Sequence, residues 1–148
     1  MTTAPLFIYG TLQHEDVRSA VLGHDGDDHH FMPATLPDHA VYHVAGTAYP
    51  MIMAEAGAVA HGLLWYGLSA ADYQRLDRFE GAYYQRHPVQ IMPAEGADIV
   101  TAELYQPDLI LPQGERWDFR SWTVSGLSQF LEVDFDLDGV RSPSLQNH

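Results

Sequence analysis

No cysteine occurs among the 148 residues, which excludes disulfides, thiolate metal sites, iron–sulfur clusters and thiol nucleophiles together. Basic residues are scarce: seven Lys plus Arg face twenty Asp plus Glu, a net charge of −13 with the nine His neutral. So few cations cannot build a phosphate-binding footprint, so nucleic acid is excluded as a partner. An anionic membrane surface is disfavoured on the same ground. Long hydrophobic runs are missing too. The apolar stretch Leu6 to Tyr9 is short and the first basic residue is Arg18, so no secretory signal can be drawn. Gly62 to Leu68 is too short to span a bilayer. These absences lead us to expect a cytoplasmic protein. What is present, 46% hydrophobic and 11% aromatic residues, is the composition of a packed domain. The length allows one substantial core and little more.

Leu6-Phe7-Ile8-Tyr9 is a β-prone run ending at Gly10, which predicts a buried strand entering a special turn. Asp16 to Leu22 has helical spacing, with Asp16 placed to cap and Gly23 to stop it. Further extended segments are expected at residues 40–44, 48–53, 59–68, 84–92 and 99–105, with Pro88 demoting one of them to an edge or bulged strand. The best helix runs from Ala70 to Phe79, with Ser69 as N-cap, Asp72 completing a capping box and Gly81 at the C-terminal stop. A second helix is expected over 118–132, weakened at Gly126. Beyond Val133 the sequence turns acidic and polar, so we expect one domain at 1–133 and a C-terminal tail at 134–148. Sequentially adjacent strands with few helices give an α+β domain on a curved, mostly antiparallel sheet. A Rossmann fold is disfavoured because Gly10 stands alone where a glycine fingerprint is needed.

Glu80 is the residue with chemistry in it. On a helical wheel it falls within about 20° of Tyr73, on the apolar face. A carboxyl there is costly unless paired or facing a cavity, and the helix C-terminus and burial both push its pKa up. Such a group suits proton transfer near neutral pH. It reads equally as an ion-pair partner of Arg86 or Arg78 that fixes the helix end. Asp77, one turn earlier, reads as structural or solvated. Tyr9-Gly10-Thr11-Leu12 lets backbone N–H groups converge on an anion or oxyanion, or is an ordinary glycine turn. Tyr84 and Arg86 share one strand face. Arg86 there either braces Glu80 or binds a carboxylate. Tyr49, Tyr84 and Tyr105 also read as core aromatics.

Other constellations carry less. The Gly23 to His30 loop is acidic and His-rich but lacks the glycine an EF-hand loop needs at its sixth position. His39 and His43 lie roughly 13 Å apart if extended, too far for one metal. Ser121, Ser125 and Ser128 sit in no nucleophile elbow. Trp117, Phe119 and Trp122 pack the last helix onto the sheet or wall the cavity. No metal is expected.

Residues 6–12, then Leu76-Asp77-Arg78-Phe79-Glu80-Gly81 with Tyr84 and Arg86, resemble the γ-glutamylcyclotransferase-like superfamily, particularly its AIG2-like branch. The likeness spans about residues 6–110 and includes Tyr49-Pro50 and a strand ending at Tyr105. It implies a small mixed, mostly antiparallel β-barrel flanked by helices, with a ligand cavity at the glycine loop. By motif matching, Glu80 takes the place of the catalytic acid and Tyr9, Gly10, Thr11 and Leu12 that of the substrate-binding loop, with Tyr49, Tyr84, Arg86 and Tyr105 as supporting contacts. The implied reaction cyclises a γ-glutamyl amine or peptide to 5-oxoproline with no metal or organic cofactor. The alternative is a small-ligand binding or interaction protein on the same scaffold. Oligomeric state is invisible in the sequence.

Overall fold

The computed structural model describes residues 4–23, 29–45, 50–81, 84–94, 98–107 and 113–125. In chain order these form β1 (Leu6–Ile8), a 3₁₀ turn (Thr11–Gln13), α1 (Glu15–Leu22), β2 (His30–Val44), β3 (Pro50–Tyr66), α2 (Ala70–Glu80), β4 (Tyr84–Pro93), β5 (Val100–Pro107), β6 (Gln113–Arg116) and α3 (Phe119–Ser125).

Hydrogen-bonded neighbours run β3-β1-β5-β4-β2, and β2 pairs again with β3. Five strands therefore close into a barrel, and β6 hangs on β2 outside the ring. Every pairing is antiparallel except β1 with β5, so the expected mixed, mostly antiparallel barrel is what forms. Closure removes the exposed edges that an open sheet must protect. Leu6, Phe7, Leu36, Ile52, Leu64, Trp65, Ile91 and Leu104, each at most 4% exposed, belong to the buried core, with neighbours such as Leu6 and Phe7 on opposite faces of the barrel wall. The short β1 is wedged between its neighbours at a tight point. Leu63 pairs with Ile8, and a Cβ on the adjoining Gly62 would strike the Ile8 carbonyl oxygen.

Several boundaries differ from expectation. β2 begins at His30 rather than near Ala40, and the segments expected at 48–53 and 59–68 are one strand, β3. The long β2–β3 hairpin survives its unfavourable residues because the register shifts between Pro37 and His39. There Asp38 takes a positive φ of 58°, and its carboxylate accepts the Gly57 N–H at 3.0 Å. α1 is capped by His14, whose Nδ1 accepts the Asp16 N–H, because the helix starts at Glu15, two residues earlier than Asp16 as cap requires. β6 was not expected. Pro88 sits where β4 pairs with β5 alone, since β2 reaches only Met92 and Pro93. Trp117 and Trp122 are buried and stack with Phe119. The rest of the helix expected to 132, the 134–148 tail and loop residues 24–28 lie outside the described residues.

Candidate functional site

The chain leaves β1 through Tyr9-Gly10 into the 3₁₀ turn, which is closed by Gln13 N–H to Gly10 O and His14 N–H to Thr11 O, both 3.0 Å. Arg18 clamps the turn from outside. Its Nη1 donates to the carbonyls of Leu12 at 2.9 Å and Gln13 at 2.8 Å, and its guanidinium lies 4.5 Å over the Phe31 ring. Gly10 has φ −128°, which any residue can adopt. A side chain is excluded by Pro50, whose ring fills the place a Cβ would take, so the glycine serves a close approach of two segments. A helical turn leaves its leading N–H groups without intrahelical acceptors. Those of Thr11 and Leu12 have no acceptor among the described residues.

Opposite stands the end of α2. Its start is the expected capping box, Ser69 Oγ accepting from Asp72 N–H while Asp72 accepts from Ser69 N–H, both at 3.0 Å. Tyr73, Leu76 and Phe79 are buried, and the Tyr73 hydroxyl donates to Ala4 O at 2.6 Å, tying the helix to the segment that enters β1. The helix ends at Gly81 with φ 78° and ψ −170°, a positive φ as expected but with extended rather than left-handed helical ψ. Glu80 thereby faces the glycine turn across a cavity lined by residues 7–12, Pro50, Phe79, Glu80, Tyr84 and Tyr105. The enclosed part is about 40 Å³, inside a depression whose free space, open solvent included, is about 450 Å³. The enclosed part suits a few waters. Anything larger must use the wider depression.

Burial pushes the Glu80 carboxyl up to about 8, and the negative charge of Asp77 adds to the rise. No cation pairs with Glu80 among the described residues. The ion pair considered for it with Arg86 is corrected. Arg86 is not among the residues lining the cavity, and its Nε and Nη2 bind the two Asp77 oxygens at 3.0 and 3.2 Å. The cause is register: Arg86 stands directly opposite Tyr105 across β4 and β5, and both reach toward Asp77.

The tyrosine hydroxyls are engaged by the fold. Tyr9 donates to Tyr105 O at 2.8 Å, Tyr84 to Pro50 O at 3.3 Å and Tyr105 to Asp77 Oδ1 at 2.6 Å. Burial raises the Tyr9 and Tyr105 hydroxyl pKa values well above the usual tyrosine range, so both stay neutral hydrogen-bond donors. Toward a ligand these residues offer ring surface. Tyr49 lies outside the described residues. Phe7, Ile8, Pro50 and Phe79 complete the lining; the sequence marks them as strand, helix and motif residues but not as site residues. Among the described residues no three His, Asp or Glu side chains converge as metal ligands would.

The fold and site together define a closed five-stranded barrel with a carboxyl facing a backbone turn across a cavity. The family model for gamma-glutamyl cyclotransferase, AIG2-like, matches residues 6–123, and the chain belongs to that family. Its curated relatives include AIG2-like protein B of Arabidopsis thaliana, 26% identical over 134 residues and covering 86% of this chain and 74% of the relative. AIG2-like protein C of the same plant is 29% identical over 140 residues, covering 86% and 77%. A solution structure of an Arabidopsis thaliana protein is similar with TM-score 0.68 and 25% identity, covering 89% of this chain and 88% of the other. The crystal structure of a mouse AIG2-like protein shares the fold with TM-score 0.61 and 24% identity, covering 80% and 90%. A gamma-glutamyl cyclotransferase structure shares it with TM-score 0.61 at 14% identity, covering 98% and 92%.

Proposed function

We propose that the protein cyclises a γ-glutamyl amine or short γ-glutamyl peptide to 5-oxoproline and a free amine, with Glu80 as general base and then general acid. The supporting observation is a carboxyl that has no cationic partner among the described residues and faces the Gly10 turn across one partly open cavity. The substrate's α-ammonium gives one proton to ionised Glu80. The freed nitrogen attacks the γ-carbonyl carbon, forming the ring C–N bond. The negative charge moves to the carbonyl oxygen, for which the Thr11 and Leu12 N–H groups are the available donors. Collapse of that intermediate breaks the bond to the leaving nitrogen, which takes the proton back from Glu80; the surplus proton on the ring nitrogen then passes through Glu80 to the released amine, which departs as an ammonium and leaves Glu80 ionised. Docking an ammonium beside Glu80 favours the carboxylate, so substrate itself promotes the base form. The tyrosine walls hold the glutamyl chain folded, which supplies the proximity advantage.

Incubating purified protein with a panel of γ-glutamyl amines and peptides and measuring 5-oxoproline tests this reading. The wild type releases it, and Glu80→Gln loses about 10²-fold or more in rate with the fold retained. Binding of these compounds without release by the wild type replaces the enzyme with a ligand-binding module on the same scaffold.

A further inference from the structure

We propose that Asp77 is a positioning residue for this site: clamped by Arg86 and Tyr105, it anchors the Tyr105 wall and holds a negative charge one helical turn from Glu80. The inference rests on the reading of Glu80 as the proton-transfer group. Asp77 does not line the Glu80 cavity, so any effect on the chemistry passes through its neighbours. Three elements meet on its carboxylate. From β5 the Tyr105 hydroxyl donates to Oδ1 at 2.6 Å, and from β4 the Arg86 guanidinium takes both oxygens. Arg86 is itself held, with its plane 4.2 Å from the Tyr73 ring centre on α2 and its Nη1 3.5 Å from Glu103.

The clamp continues inward. The Tyr105 ring lines the cavity, and its backbone carbonyl accepts the Tyr9 hydroxyl, so fixing Tyr105 also fixes the tyrosine at the base of the glycine turn. A single carboxylate thus ties two of the cavity's walls to the helix that carries Glu80.

Charge counting gives the second effect. Asp77 and Glu103 share the one guanidinium of Arg86, which leaves the cluster net negative. The groups facing Glu80 are Asp77 on its own helix, Tyr9 from β1's turn, Tyr84 from β4 and Tyr105 from β5. Burial keeps Tyr9 and Tyr105 neutral, so among the described residues the cluster behind Tyr105 is the charged influence on Glu80. Residues three apart on a helix are neighbours, and a like charge at that range opposes ionisation. Arg86 moderates the effect, and removing either partner moves Glu80 in opposite directions.

The test is a titration of the Glu80 side-chain carboxyl carbon by NMR in the whole protein, which needs no turnover. Asp77→Asn lowers the midpoint by about half a pH unit or more, Asp77→Glu restores it, and Arg86→Gln raises it. An unchanged midpoint in Asp77→Asn, or one that moves the same way in both neutralising variants, overturns the proposal. If Asp77→Asn does not fold, Arg86→Gln carries the test alone, and a midpoint that stays or falls is the overturning result. Should wild type release no 5-oxoproline, the proposed reaction fails while the titration still decides the role of Asp77. Should wild type be active and the midpoint not move, the reaction stands and Asp77 is structural only.

Discussion

Glu80 holds its proton in the folded chain up to about pH 8, whereas an unfolded chain releases it near the ordinary glutamate value of about 4.3. Between those values the native state binds more protons than the unfolded one, so this group makes stability fall as pH rises. Below the window both states are protonated and above it both are ionised. The cost of ionised Glu80 is then fully present above about pH 8, of order 5 kcal/mol. Glu80→Gln removes it. We expect the variant's advantage in Tm over wild type to be small at pH 4.5 and largest at pH 8.5, measured by thermal melts across that range. A pH-independent difference contradicts the raised pKa. Under the proposed reaction the same group sets the activity profile: kcat/KM for 5-oxoproline release is expected to rise as pH is increased to about 8, following ionisation of Glu80 in the free protein. A rate flat from pH 6 to 8 contradicts it. The position of Glu80 was legible because helical periodicity needs only local sequence. The clamp on Asp77 was not, since it depends on Arg86 and Tyr105 standing opposite each other in a strand pairing that no local pattern fixes.

Among the elements, β1 has the least room for change. Its three residues are packed between β3 and β5, and Gly62 of β3 touches it backbone to backbone. Gly62→Ala forces the Ile8 carbonyl away, and a backbone atom cannot yield as a flexible side chain does. We expect about 1–3 kcal/mol of lost stability, read from urea melts. Because Ile8 immediately precedes the cavity turn, 5-oxoproline release should fall as well. An unchanged melting midpoint means that β1 is looser than its packing indicates. Elements with apolar runs or cap residues, β1 and α2 above all, were readable in the sequence. Those made by pairing were not. The start of β2 contains Pro33, Pro37 and Asp38, and β3 crosses the Ala-Gly-rich stretch 54–58, all poor strand formers. Their long hairpin exists because a bulge lets the two halves keep register. β6, Gln-Gly-Glu-Arg, has no apolar signal and forms by pairing with β2.

At the scale of the whole molecule, charge is the dominant unbalanced quantity. All seven basic residues are arginine; among the described ones, Arg18 and Arg75 bind backbone carbonyls, Arg86 binds Asp77 and Arg116 binds Glu55. A net charge of −13 leaves self-repulsion that the compact state must bear. Salt screens it over about 10 Å at 0.1 M. Tm should therefore rise between about 10 mM and about 150 mM NaCl, and a fall would mean that the arginine contacts outweigh the repulsion. The barrel has a final consequence for biosynthesis. β1 is translated before both of its partners, and its parallel neighbour β5 ends about a hundred residues later. A nascent chain emerging from a ribosome therefore holds Leu6, Phe7 and Ile8 unsatisfied until most of the domain is made. The cavity that Glu80 and Tyr105 line is assembled among the last features, so a stalled or truncated polypeptide lacks it whatever its length short of β5.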